Sequence, residues 1–329
     1  MNKLLAILFT TLATISHAQT AINGAGATFP APVYSKWASE YHKSTGIQMN
    51  YQATGSGAGI KQMGAKTVDF GGTDDPLSEE EVNKNGYYQF PVVIGGVVPV
   101  VNLKGIEAGK LVLDGKTLAD IYRGNIKMWD SPAIAKLNKG INLPNLSITV
   151  VVRADASGTN AVFTDYLSQV SPEFKRDIGA GKQVSWKGGN YTAGKGNAGV
   201  AAFTQQIQGA IGYVEYAFAK QGKLAHVAML DKKNKTVQPD DTTFAEAARS
   251  TNWNIPGMAV NLNNKDGWPI TAATFLIVYK GSEKSLPPVK FFDWAFTNGD
   301  MMALELDYVP LPDKVKAQIR ADWTKLALK

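Results

Sequence analysis

The sequence contains no cysteine and only three histidines, and these shortages exclude disulfides and the common histidine-based metal centres. A chain of 329 residues is long enough to bury a stable core without disulfides, even in an oxidising compartment. His42 and His226, the two histidines beyond the N-terminal segment, have no neighbours at the spacing of metal ligands. The sequence also has no acidic metal cluster, so we expect the protein to need neither a metal nor another cofactor.

The chain also lacks an apolar run long enough to span a membrane. Its one sustained run, Leu4–Ile15 in "MNKLLAILFTTLATISHA", is shorter than the ~20 residues that a bilayer requires. Lys3 precedes this run, and Ser16-His17-Ala18 follow at the spacing that signal peptidase recognises. The pattern predicts a signal peptide over residues 1–18 and export of a soluble protein, with a buried first helix as the alternative. A lipid anchor is not expected, because no cysteine follows the run.

Neither positive nor negative charge is concentrated in one part of the sequence. The formal net charge of +6 is spread along the chain, and no basic block suggests a nucleic-acid partner. The composition, 44% hydrophobic and 19% charged, is that of an ordinary globular protein. The sequence contains no internal repeat, and its length favours about two domains.

Alternating strand and helix patterns predict an α/β fold. "GIQMNYQATGSG" alternates apolar and polar residues as a strand does, whereas "PAPVYSKWASEYHKSTG" repeats Val33, Trp37 and Tyr41 at helical spacing. In "LSEEEV", Ser78 and Glu81 have the spacing of a capping box. This alternation is typical of parallel sheets with helices on their faces.

Three predicted helix starts combine glycine with hydroxyl residues directly after a strand. They are "NGAGATFPAP" with Thr28 and Phe29, "ATGSGAGIKQ" with Ser56, and "VVRADASGTN" with Ser157, Gly158 and Thr159. Unpaired N–H groups and the positive end of the helix dipole make such starts suitable for a tetrahedral oxyanion. Any one of these loops taken alone is more easily interpreted as a plain N-cap. Their threefold occurrence favours an anion site.

Charged residues lie beside these loops. Arg153 precedes the third loop, and two acids accompany the set, Asp155 after the arginine and Asp74 at the end of the strand in "VDFGGTDDPLS". Asp74 is equally compatible with a turn residue before Asp75 and Pro76. One arginine against two carboxylates gives a net side-chain charge of −1, so dipoles and hydroxyls rather than full charges must hold an anion.

These motifs resemble the periplasmic phosphate-binding proteins of bacterial ABC-type phosphate importers. The similarity runs from about Ala21 to near the C-terminus and rests on long, ordered stretches, among them "GAGATFPAPVYSKW", "VDFGGTDDPLS", "FPVVIGGVVPVVN", "VLDGKTLADIYRGNIKMW", "VVRADASGTNAVFTDYL", "GAIGYVEYA" and "WPITAATF". It implies a two-lobed α/β fold of the type II, Venus-flytrap kind, with mostly parallel sheets. Residues 19–95 and 265–329 would form lobe 1, residues 96–264 lobe 2, and the ligand would lie between them.

The resemblance also implies the site. Phosphate would contact Thr28, Phe29, Ser56, Asp74, Arg153, Ser157, Gly158 and Thr159, while Asp155 would hold the arginine. Ionised Asp74 accepts but cannot donate, so it would favour protonated phosphate over sulfate, by a factor on the order of 10⁴–10⁵. The implied protein is a periplasmic monomer, and its partners are inorganic phosphate and an inner-membrane permease complex.

Three other functions stay open from the sequence. The same cradle suits a binding protein for another oxyanion such as sulfate or molybdate. It also suits a secreted phosphoryl-transfer enzyme, although no histidine or cysteine lies near the loops to serve as base or nucleophile. An extracellular adhesin or scaffold that keeps this fold is the third.

Overall fold

The structure, a computed structural model, describes residues 21–255 and 258–328, and the predicted signal peptide lies outside this part of the chain. The strands are β1 Ile22–Gly26, β2 Met49–Ala53, β3 Phe70–Thr73, β4 Tyr87–Val101, β5 Val112–Leu113, β6 Thr149–Arg153, β7 Tyr191–Gly194, β8 Ala210–Glu215, β9 Ala225–His226, β10 Ala228–Leu230, β11 Thr236–Val237, β12 Thr271–Tyr279 and β13 Val309–Pro310. The helices are α1 Ala31–Thr45, α2 Ser56–Gly64, α3 Glu79–Lys84, α4 Gly115–Tyr122, α5 Pro132–Leu137, α6 Gly158–Val170, α7 Pro172–Asp177, α8 Gly196–Gln206, α9 Tyr216–Gln221, α10 Asp241–Arg249, α11 Leu286–Asn298, α12 Asp300–Leu304 and α13 Asp313–Lys325. In these ranges no helix combines the length and the apolar character that crossing a bilayer requires.

Local sequence signals explain where several elements begin and end. Prolines open α1, and Gly46 ends it in the left-handed region at φ 76°, which glycine adopts without strain. The predicted capping box of α3 is confirmed: the Ser78 hydroxyl accepts from the Glu81 N–H, and the Glu81 carboxylate accepts from the Ser78 N–H. Val33, Trp37 and Tyr41 are buried on one face of α1, as their spacing predicts.

Strand β4 is common to two sets of strands and links the lobes of the α/β fold. Its residues 87–96 pair with β12, and residues 97–101 pair with β8. The strand order is β2-β1-β3-β12-β4-β8-β6-β7, and all fifteen residues of β4 are buried. A strand enclosed by helices on both faces has no solvated side, which is why "YYQFPVVIGGVVPVV" is almost continuously apolar.

The expectation of mostly parallel sheets is only partly right. The outer ladders β2-β1-β3 and β8-β6-β7 are parallel, but β12 and β8 both pair with β4 in the antiparallel sense. The reason is topological. Strand β4 leaves the first lobe and β12 returns to it beside β4, so the two strands run in opposite directions. The carboxyl ends of β1, β2 and β3 face those of β6 and β7, and the predicted loops follow these ends.

Candidate anion-binding site

The structure brings the three predicted loops together with Asp74 and Arg153. Across the cleft, the Ser56 hydroxyl accepts from the Gly158 N–H at 3.0 Å, and the Thr159 hydroxyl donates to Asp74 Oδ2 at 3.3 Å. Gly158 is needed here, because a Cβ on it would lie 2.6 Å from Ser56 Oγ and 2.7 Å from the Asp74 nitrogen. The residues predicted for the site therefore form one buried cluster, and they are not distributed over separate surfaces.

Three hydroxyls in this cluster are oriented as donors. Thr28 Oγ1 accepts from the backbone and side-chain nitrogens of Asn197, at 3.1 and 2.8 Å. Ser56 Oγ accepts from two backbone N–H groups, and Ser157 Oγ accepts from the Asn160 N–H at 3.0 Å. Because each oxygen already accepts a bond, its single proton stays available to an acceptor in the cleft.

Backbone donors lie beside these hydroxyls. In the described part of the chain, the N–H groups of Thr28, Phe29, Ser56 and Thr159 have no hydrogen-bond acceptor. All four lie in the turn before a helix or in its first turn, where N–H groups have no partner within the helix. Phe29 contributes only this N–H to the cleft, because its ring is fully buried against Tyr308.

Arg153 is the cationic group of the site. Its Nε and Nη2 donate to the two oxygens of Asp155 at 3.0 and 2.6 Å, a bidentate pair that fixes the plane of the guanidinium. Nη1 is buried and has no partner within the described residues. Burial alone would raise the pKa of Asp155, but the hydrogen bonds and charge of Arg153, together with the Gly196 N–H, lower that pKa below its usual value.

Asp74 is 3% exposed and accepts from two hydroxyls, Thr274 at Oδ1 and Thr159 at Oδ2. Burial raises the pKa of Asp74 to about 7, although these hydroxyls and the charge of Arg153 oppose the rise. The carboxyl group therefore exchanges its proton near neutral pH. The ionised form, on which the predicted rejection of sulfate depends, is therefore only partly populated at neutral pH.

Asn197 and Thr274 were not predicted from the sequence. The Asn197 amide donates to both Thr28 and Thr159, at 2.8 and 3.3 Å, so one side chain orients a hydroxyl from each lobe. Asn197 lies in the first turn of α8, at a fourth junction between a strand and a helix, where Gly196 has φ +68°. The sequence signal for Asn197 was a strand followed by glycine and a helix. It was missed because this junction has no hydroxyl residue of the kind that marks the three predicted loops.

A cavity of about 380 Å³ opens beside Asp74. Asp75 and Asp165 line it, and Lys182 of the second lobe forms an ion pair with Asp75 of the first. The Gly57 N–H also donates to the Ala156 carbonyl at 2.9 Å, so the two lobes touch along the cleft.

Chemically, the cluster can hold an anion. Its hydroxyls donate, and its arginine is held in one plane by a carboxylate. No group of His, Asp and Glu suited to holding a metal ion occurs within residues 21–255 and 258–328.

Comparison with known proteins places the chain in a family. Residues 13–297 match the PBP superfamily domain. The phosphate-binding protein PstS of Pasteurella multocida is 52% identical, covering 97% of this chain and 94% of its own, and that of Haemophilus influenzae is 48% identical, covering 95% and 96%. A phosphate-binding protein from Stenotrophomonas maltophilia has the same fold, with a TM-score of 0.68, 20% identity and coverage of 92% and 93%. The chain therefore belongs to the PBP superfamily and, within it, to the PstS family of phosphate-binding proteins.

Proposed function

We propose that this protein binds inorganic phosphate and delivers it to an ABC importer. The observation that carries the proposal is the buried Arg153 Nη1, which has no partner within the described residues, in a side chain close enough to Asp74 for its charge to lower the pKa of that carboxyl. A hydrogen bond from such a donor to an ionised acceptor contributes ~1.5–3 kcal/mol, compared with ~0.5–1.5 kcal/mol for a neutral acceptor. Two relatives that are about half identical in sequence are named phosphate-binding proteins, which supports the same ligand for this chain.

The proposed phosphate contacts are the residues predicted from the sequence. Hydroxyl protons would come from Thr28, Ser56 and Ser157, and N–H groups from the helix starts, including Phe29 and Thr159, while Thr159 and Gly158 would contact the anion from positions already bonded to Asp74 and Ser56. Arg153 would donate through Nη1 while Asp155 holds its fork, and Asp74 would accept the phosphate proton. Asn197 joins them as the residue that orients Thr28.

Transport requires an exported protein that opens and closes. We propose a periplasmic location, a signal peptide over residues 1–18, a monomer, and docking on a membrane permease when the cleft is closed. Lobes of residues 19–95 with 265–329, and of residues 96–264, are supported by β4, which changes its partner at Val97. We propose no catalytic activity, since solute-binding proteins form the family.

Calorimetry on protein freed of ligand by unfolding, dialysis and refolding tests this function. Phosphate should bind with one site per chain and submicromolar affinity, corresponding to about −8 kcal/mol or better. Tight binding of sulfate or molybdate without phosphate binding would favour a different oxyanion carrier. Turnover of a chromogenic phosphate ester would instead favour an enzyme.

The ion pair between Asp75 and Lys182 should slow ligand release. Both side chains are partly exposed, so the pair contributes little, ~0–1 kcal/mol. Lys182→Met keeps the carbonyl that accepts from the Ser157 N–H, and we expect it to speed phosphate release about threefold, as measured by stopped-flow fluorescence. The difference should shrink at high salt. Lys187→Met, on the other face of the second lobe near Arg123, is the matched control.

A further inference from the structure

A second buried acid lies behind the site and has no counter-ion. Glu215 ends β8 and is fully buried. Tyr308, also fully buried, has its hydroxyl 2.7 Å from Glu215 Oε2 and 2.7 Å from the Phe29 carbonyl oxygen. Glu215 belongs to the second lobe, whereas Tyr308 and Phe29 belong to the first, so the three groups bridge the lobes at the closed end of the cleft.

The number of protons in this bridge determines its charge. A tyrosine hydroxyl has one proton, whereas the Phe29 carbonyl and an ionised Glu215 carboxylate can both only accept. If Glu215 were ionised, this single proton would face two acceptors, each 2.7 Å from the Tyr308 oxygen, and one of the two contacts would have no proton. A protonated Glu215 removes this conflict, because it donates to Tyr308 while Tyr308 donates to Phe29.

The surroundings of Glu215 also oppose a negative charge. The Ala217 N–H donates to both carboxyl oxygens, at 3.1 and 3.0 Å, but no Lys, Arg or His forms an ion pair with Glu215 in the described structure. Lys220, on the adjoining helix, is paired with Asp307. Burial raises the pKa of Glu215 well above its usual value, and the carboxyl groups of Asp307 and Asp74 raise it further.

We propose that Glu215 carries a proton at neutral pH and, through Tyr308, positions the Phe29 loop that presents backbone donors to the anion. Glu215 is thus a positioning residue and does not contact the ligand. Its neutrality also matters for charge, because an ionised Glu215 would add a second uncompensated negative charge behind a site that must accept an anion. The link to binding rests on the proposed phosphate function, but the protonation and the loop position do not.

Glu215→Gln is the informative variant. The glutamine amide can donate to Tyr308 while its oxygen accepts from Ala217, so it reproduces the protonated acid and not the carboxylate. Tyr308→Phe removes only the hydroxyl and keeps the ring against Phe29. Tyr88→Phe is the matched control, because the Tyr88 hydroxyl is buried without a partner in β4.

Two measurements need no ligand. The infrared difference spectrum of wild type minus Glu215→Gln at neutral pH should contain the C=O band of a protonated carboxyl group, and its absence would overturn the proposal. Hydrogen exchange in the peptide covering residues 28–34 should match wild type in Glu215→Gln and Tyr88→Phe, and be faster in Tyr308→Phe. Exchange in Tyr308→Phe that equals the control would refute the positioning role.

Phosphate calorimetry then tests the link to binding. Glu215→Gln should stay within about twofold of the wild-type Kd, whereas Tyr308→Phe should weaken binding about tenfold, because the Phe29 carbonyl and Glu215 lose their shared partner. An equal loss in both variants would mean that the ionised carboxylate is required. If the wild type itself binds no phosphate, the proposed function fails, while the infrared and exchange results still decide the state of Glu215.

Discussion

Arg153→Met is expected to weaken phosphate binding by at least ~10³-fold, the largest loss for any single side chain of the site. The substitution removes the Nη1 donor and also leaves Asp155 as an unpaired, half-buried carboxylate close to the anion. Arg153→Lys should weaken phosphate binding less, by about 10–100-fold. A lysine ammonium keeps the charge but cannot hold Asp155 with two parallel bonds and present a third donor in a fixed direction.

Two further variants separate these causes. Arg123→Met is the control, because Arg123 also donates to carboxylates, those of Asp120 and Asp177, but lies beside a different cavity. It should leave the phosphate Kd unchanged. Arg153→Met combined with Asp155→Asn should bind better than Arg153→Met alone, since it removes the uncompensated charge. Calorimetry, with circular dichroism to check folding, measures all four variants and the wild type. An Arg153→Met affinity within tenfold of wild type would contradict the proposed contact.

Local hydrogen bonding explains why the sequence predicts most of this site. A helix start needs capping groups within three residues, so Ser157 is visible as an N-cap, and Ser56 is visible directly after the glycine that begins its helix. Their placement after strand ends then brings them to one edge of the fold. The structure adds that each hydroxyl already accepts a bond from a nitrogen, which makes it a donor to the cleft.

Long-range pairs could not be predicted in this way. Asn197 lies 169 residues from Thr28, and Glu215 lies 93 residues from Tyr308. Nothing in "GAIGYVEYA" distinguishes a neutral bridging acid from an ordinary residue at a strand end. The protonation of Asp74 is equally inaccessible, because its raised pKa depends on burial by elements from both lobes.

The raised pKa of Asp74 sets an upper limit on how strongly this residue can reject sulfate. A carboxylate facing a sulfate oxygen can escape the repulsion by binding a proton, and that proton costs about tenfold in affinity for each pH unit above the pKa. With a pKa of about 7, the discrimination supplied by Asp74 is about tenfold at pH 8 and about a hundredfold at pH 9. This is well below the 10⁴–10⁵ expected for a site that cannot adjust.

Asp74→Asn should therefore change sulfate binding in a pH-dependent way. Wild-type sulfate affinity should be constant below pH 7 and fall about tenfold per unit above it, because only the protonated form binds. The asparagine amide donates at every pH, so the variant should show a flat sulfate profile and a phosphate preference about a hundredfold smaller than wild type at pH 9. Phosphate brings its own proton and should still bind the variant.

Charge alone offers a competing explanation for tighter sulfate binding, and Asp165→Asn tests it. Asp165 lines the same cavity as Asp74 and accepts from Asn261 and Asn263, and its replacement removes one negative charge without adding a donor at the anion. Competition calorimetry at pH 6–9 should give this control the wild-type slope. A steep slope that persists in Asp74→Asn would assign the titration to another group, and sulfate rejection would then have to come from the rigidity of the donor cradle.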